Sequence, residues 1–174
     1  MSTPTSGSGG GTGRVVRLGA KSRVPGEHGL PKPELALAHI GREGVEGDYN
    51  LYRQTKKGGD PEMALLLMPQ ETLDELRREG WPVEPGDLGE NVTTSGIPYA
   101  ALRPRRRLRL GSVIAETSRP CEPCDNLFLL PYVGRVRGPE FLKTTLGRRG
   151  WFATVLEPGI VRKGDPIELL GPGG

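Results

Sequence analysis

The two cysteines of the chain stand three apart in Arg119-Pro120-Cys121-Glu122-Pro123-Cys124-Asp125-Asn126-Leu127. Proline fixes φ and removes a backbone donor, so the segment reads as a rigid, non-helical loop that presents its thiols. Thiolate is the reactive form of cysteine; a cation such as Arg119 favours it, and the carboxylates of Glu122 and Asp125 oppose it. The chemistry open to such a loop is sulfur transfer, redox exchange or soft-metal binding. The plain structural alternative is two small buried hydrophobes. A thioredoxin-like site fits poorly, because that CxxC opens a helix in a βαβ unit. Structural zinc needs four ligands, and Cys121, Cys124, His28 and His39 would have to converge from distant points.

Other polar residues sit in a pattern. Asp48, Asp87 and Asp165 each follow or closely follow glycine, where an aspartate oxygen serves turn amides. Glu90 and Asn91 come after that turn is already made, so they are candidates for a pocket as well as for local backbone bonding. Arg103, Arg105, Arg106, Arg107 and Arg109 form the main basic cluster. In Arg107-Leu108-Arg109-Leu110 the leucines face in and the arginines out, as on a charged surface strand.

The elements that must position these residues are short. Strand signals fall at residues 14–18, 35–40, 63–68, 92–93, 107–110, 112–117, 150–156 and 167–170. The run Met63-Ala64-Leu65-Leu66-Leu67-Met68 is continuously apolar, which marks a strand buried on both faces. One clear helix spans about Glu71 to Arg78, with Leu73 and Leu76 inward and Gly80 and Pro82 as its stop. A second short helix is expected from Pro139 to Leu146. Residues 54–60 read as a polar, exposed loop. Many short strands at turn-limited spacing predict a mainly β fold: a mostly antiparallel, closed or nearly closed barrel with a few short helices.

Composition agrees with one domain in 174 residues, 34% of them hydrophobic. Gly (27) and Pro (17) make up about a quarter of the chain and mostly punctuate apolar runs. Residues 1–13 are a Gly/Ser-rich stretch expected to be a disordered tail, and the domain is expected over 14–171. A net charge of +3, concentrated in one cluster, does not imply a dedicated nucleic-acid function. No run reaches the ~18 apolar residues of a membrane span. No basic-then-apolar secretory signal opens the chain. A cytoplasmic, reducing setting is therefore expected, in which CxxC reads as catalytic, redox or metal-binding.

Several spaced motifs now agree. Gly44-Val45-Glu46-Gly47-Asp48, Pro85-Gly86-Asp87-Leu88-Gly89-Glu90-Asn91-Val92, Pro123-Cys124-x-x-Leu127, Arg149-Gly150-Trp151-Phe152 and Gly164-Asp165 occur in this order. The set resembles the MOSC domain, named after the C-terminal domain of molybdenum cofactor sulfurase, in its small stand-alone bacterial form. The resemblance covers roughly Arg14 to Leu170. It departs at Tyr49-Asn50, where many members place a histidine soon after Gly-Asp. It also departs at Pro104-Arg105-Arg106-Arg107, where members often have a Gly-Asp turn.

The resemblance implies a β-rich barrel and a cysteine, Cys124, that carries sulfur as a persulfide or contacts molybdenum, with Cys121 auxiliary. Arg119, Arg149, Glu90, Asn91 and Asp48 are the expected cofactor-binding residues. The implied donor is a pyridoxal-phosphate-dependent cysteine desulfurase, and the acceptor is a metal centre or small molecule. A second implied function is a molybdenum-cofactor oxidoreductase that reduces N-hydroxylated compounds with Cys124 as metal ligand. The cofactor carries a phosphate, which would suit the arginine cluster or Arg148 and Arg149. A third reading is a docking module without catalysis.

Overall fold

The computed structural model describes residues 12–171, so most of the expected tail lies outside the described residues. The first strand, β1, spans Thr12–Gly19, two residues ahead of its expected start. β2 (Glu34–Leu35) and β3 (Leu37–Gly41) divide at Ala36 what the sequence reads as one strand. β4 (Gly44–Val45) pairs back on β3, and α1 (Leu51–Lys56) follows where a loop was expected. The Asn50 side chain caps α1 by accepting from the Arg53 amide at 3.0 Å.

β5 (Leu65–Pro69) leads directly into α2 (Gln70–Arg78), close to the expected helix. Its end is a Schellman motif. Gly80 has φ +100, the Gly80 amide bonds Arg77 O, and the Trp81 amide bonds Leu76 O. β6 (Val92–Ser95), β7 (Arg107–Leu110) and β8 (Val113–Pro120) come next. β8 runs through Arg119 and Pro120, so these two close a strand and do not open the loop. Residues Asp125–Leu129 form a turn of 3-10 helix, so the cysteine loop is irregular only from Cys121 to Cys124. α3 spans Gly134–Thr145 and starts five residues before the expected helix, with Pro139 inside it. β9 (Trp151–Glu157), β10 (Gly159–Arg162) and β11 (Pro166–Leu169) complete the chain.

Seven strands close a barrel in the order β1-β6-β5-β9-β8-β7-β11, with β11 returning to β1. All neighbours are antiparallel except β5 and β6, which run parallel with α2 as their crossover. β10, β3 and β4 form a separate small sheet. Closure removes free edges, the standing hazard of an all-β design.

Two cores follow from this layout. Val15, Leu65, Leu67, Val92, Leu108, Leu110, Ala115, Val155 and Ile167 fill the barrel. Met68, Leu73, Leu76, Trp81, Leu88, Leu127 and Phe141 pack outside it, between β5, α2 and α3. The α2 leucines therefore join this outer core and not the barrel lumen. β5 alternates between the two sides, which explains its unbroken apolar run. Leu65 and Leu67 point inward, Met68 to the helices, and Leu66 to a small cluster with Met63, Cys121 and Phe152. Each fully buried leucine contributes roughly 1.5–3 kcal/mol of hydrophobic stabilisation. Among the described residues no helix is long and apolar enough to cross a membrane.

Candidate functional site

Cys121 and Cys124 are both free thiols; Cys121 is buried and Cys124 half-buried. The Cys121 amide donates to Gly150 O at 2.8 Å, tying the loop to the start of β9. Gly150 has φ +98, and a Cβ there would run into the Leu67 carbonyl, so only glycine lets β9 approach β5 at this point. The Tyr99 hydroxyl accepts the Gly150 amide at 3.0 Å and pins the same corner.

This corner delivers Arg149 to the thiols. Its Nη1 donates to Cys124 Sγ at 3.2 Å and to Glu122 O at 2.9 Å, and its Nη2 donates to Leu88 O at 3.4 Å. Arg149 is only 6% exposed, and its Nε has no partner. Burial disfavours its charge, but the Cys121 and Cys124 sulfurs and then Glu90 outweigh that and hold the guanidinium protonated. Burial pushes the Cys121 thiol up, with Arg149 opposing, so Cys121 stays a neutral thiol at neutral pH.

A cleft of about 460 Å³ opens over Cys124, lined also by Cys121, Lys32, Lys57, Arg119 and Arg149. A second cleft of about 630 Å³ adjoins it, walled by β3, β4 and α1. The two share Lys32, Asn50, Met63, Leu66, Gly89 and Phe152 in their linings. Arg53 bolts the second cleft's wall. It is 3% exposed and donates to the carbonyls of Glu43 (2.6 Å), Asp60 (2.7 Å) and Gly59 (3.0 Å).

The expected site residues divide. Cys124, Cys121, Arg149 and Arg119 converge on one cleft. Arg119, however, pairs with Asp60 at 2.6 Å and Glu62 at 2.9 Å, so the cation bonded to the Cys124 sulfur is Arg149. Asp48 and Asn91 line the neighbouring cleft. Asp48 accepts from Lys32 Nζ at 2.5 Å and Asn91 Nδ2 at 2.8 Å, while Asn91 Oδ1 holds the Leu66 amide at 3.0 Å. Glu90 lines neither cleft. It is buried, accepts from the Gly86 amide and Thr93 Oγ1, and braces its own turn. Burial pushes its carboxyl up, and Oε2 has no partner.

Other candidates resolve to structure. Asp87 and Asp165 cap turn amides, with Asp87 also accepting from the Tyr132 hydroxyl. Arg107 and Arg109 pair across strands with Glu116 and Glu168, so they form a surface strand. Arg148 makes a two-pronged pair with Glu79. No cluster of three or more His, Cys, Asp or Glu fit to hold a metal ion occurs among the described residues. Lys32 is the site residue that sequence reasoning missed. It is 4% exposed and lines both clefts, yet nothing in Leu30-Pro31-Lys32-Pro33 marks it apart from an ordinary loop lysine.

A closed barrel that holds one half-buried loop thiol beneath a buried arginine is a thiol-presenting barrel. Residues 54–168 match the family model described as MOSC domain, and the chain belongs to that family. It is 30% identical over 143 residues to Protein YiiM of Escherichia coli, covering 79% of this chain and 59% of that protein. An 88-residue stretch, 49% of this chain, is 36% identical to a protein named Reductase from Gibberella moniliformis, of which it covers 15%. The chain thus spans about three fifths of the first relative's length and a small part of the second's. The fold is shared with the YUAD protein of Bacillus subtilis, at a TM-score of 0.74 and 19% identity, over 91% of this chain and 95% of that one.

Proposed function

We propose that this MOSC protein is a sulfur carrier in which Cys124 accepts sulfane sulfur as a persulfide and passes it to a metal centre or small-molecule acceptor in the adjoining cleft. The observation that carries this reading is the Arg149–Cys124 pair: a guanidinium donor 3.2 Å from a half-buried sulfur at the base of a cleft. Such a donor orients the sulfur and stabilises negative charge on a terminal persulfide. The buried Cys121 thiol stands by as a resolving group: its sulfur attacks the Cys124 sulfur of the persulfide, a Cys121–Cys124 disulfide forms, and the outer sulfur leaves as hydrosulfide with the thiol proton. The donor is a cysteine desulfurase that uses pyridoxal phosphate. The test is intact mass after incubation with such an enzyme and cysteine. Gain of one sulfur atom, lost in Cys124→Ser, is the expected result; an unchanged mass in the wild type would refute the reading.

A second reading draws on the fungal relative's name, Reductase. The donor set suits an anionic, thiolate-seeking group such as molybdenum cofactor: Cys124 would supply the soft ligand, and the Arg149 guanidinium beside it would hold an anionic oxygen. That group would supply the redox chemistry; the chain's own residues bind, orient and screen it. Metal analysis and pterin fluorescence of the purified protein separate this reading from the first.

A further inference from the structure

Arg149 is a buried cation with no carboxylate partner; the one group in contact with it that can carry negative charge is the Cys124 sulfur. Among the described residues its hydrogen-bond partners are two carbonyls and the Cys124 sulfur, and no carboxylate lies within ion-pair distance. The other cations of the cleft differ. Lys32 is neutralised by Asp48, and Arg119 by Asp60 and Glu62. Glu122, the carboxylate of the lining, is exposed. A buried unpaired charge is costly, and here one nitrogen of the guanidinium, Nε, also lacks any partner. Nε is too buried to be reached from the cleft, so an anion there would meet the Nη edge that already touches Cys124. Because the same guanidinium touches Cys124 Sγ, that anion sits against the reacting atom and not at a remote anchoring point.

We infer that the Cys124 cleft takes its sulfur directly from small anionic sulfane donors of the thiosulfate type, and so has a thiosulfate:thiol sulfurtransferase activity. This rests on the persulfide-carrier reading above and adds a second, small-molecule donor to the desulfurase named there. In the step, the Cys124 thiolate attacks the outer sulfur of thiosulfate. A new sulfur–sulfur bond forms on Cys124, the sulfur–sulfur bond of thiosulfate breaks, and its electron pair leaves with sulfite. Two negative charges leave on sulfite and one stays on the persulfide, so charge balances and no outside oxidant or reductant enters. Arg149 binds the sulfonate oxygens and neutralises the leaving group as charge moves onto it. Met63, Leu66 and Phe152 give the cleft an apolar floor packed against Cys121.

The experiment mixes the full chain with sodium thiosulfate and follows intact mass, released sulfite, and thiocyanate on adding cyanide. Dimethyl trisulfide, a neutral sulfane donor that leaves a methyl disulfide or trisulfide on the attacking thiol and expels methyl persulfide or methanethiolate, is run in parallel, and its loading is read as that adduct. The expected result is one sulfur atom gained, equimolar sulfite, and a thiosulfate rate that falls with added KCl while the trisulfide rate holds. Arg149→Met should lower the ratio of thiosulfate to trisulfide rates roughly tenfold or more, the loss expected for one charge-assisted hydrogen bond. Should that variant not fold, the salt response of the wild type decides alone. Loading by trisulfide without loading by thiosulfate overturns the inference and leaves the carrier reading standing. Failure of both donors and of the desulfurase removes both. Thiosulfate loading that is indifferent to salt also overturns it, because the anion would then not be what Arg149 selects.

Discussion

At the scale of residues, the two thiols differ in what surrounds them. Cys124 has the cleft and a guanidinium; Cys121 is buried with its proton held. Cys124→Ser is expected to abolish sulfur loading with the fold intact, since a hydroxyl is a far weaker nucleophile. Cys121→Ser should load normally but accumulate the persulfide instead of resolving it. Thiol-probe labelling with mass readout before and after loading reports both, and the reverse pattern would reassign the carrier. Glu90 gives a pH prediction. Its carboxyl is raised by burial, so its contribution to stability is full below the unfolded value of ~4.3 and is lost as pH rises through the folded one. Glu90→Gln should flatten that loss in urea midpoints measured across mildly acidic pH; parallel slopes in the two proteins would count against it. The two cysteines were legible because their spacing is local, and Arg149 and Asn91 because they stand in motifs of the family; Glu90, in the same motif as Asn91, braces its own turn and reaches neither cleft. Lys32 was not legible, because its importance comes from a contact with Asp48 that only the folded chain creates. Arg119 misled for the converse reason: its nearness in sequence to Cys121 said nothing of Asp60 and Glu62, which claim it.

At the scale of elements, the strands and α2 could be read because apolar period and stop signals are properties of short segments. α1 was hidden in a polar stretch whose helix depends on the Asn50 cap and on Arg53 reaching Glu43, Gly59 and Asp60. α3 was truncated at Pro139, yet a proline within a helix is tolerated where packing supports it. That packing is visible at Gly138, where a Cβ would overlap the Phe128 ring. Gly138→Ala should therefore destabilise by about 1–3 kcal/mol, although alanine is the better helix former. Chemical denaturation measures this, and a gain in stability would show that Phe128 can swing away. Because Phe128 lies in the 3-10 turn after Cys124, the same variant should also slow sulfur loading.

At the scale of the whole molecule, barrel closure was predicted from the number and shortness of the strands. The parallel β5–β6 pair was not, since strand direction is set by where α2 delivers the chain. Closure concentrates stability in residues whose partners are distant in sequence. Ile167, fully buried on β11, pairs with Leu110 on β7 and Gly13 on β1. Ile167→Ala should cost about 2–5 kcal/mol and lower the thermal midpoint by roughly 4–20 °C. Calorimetry tests it; a loss under about 1 kcal/mol would mean the seam contributes little.

The seam has one more consequence. Thr12 faces Glu168 across the antiparallel register of β1 and β11, so the strand made first is finished by the one made last. In connectivity the barrel is nearly a ring, cut at a place where its ends already touch. A short linker joining β11 to β1, with a new opening in the exposed loop at Lys57-Gly58, should leave every barrel pairing in place. The tie between β1 and β11 would then become local. The permuted chain should fold faster than the original, because the costliest loop in the molecule would no longer have to be closed by diffusion.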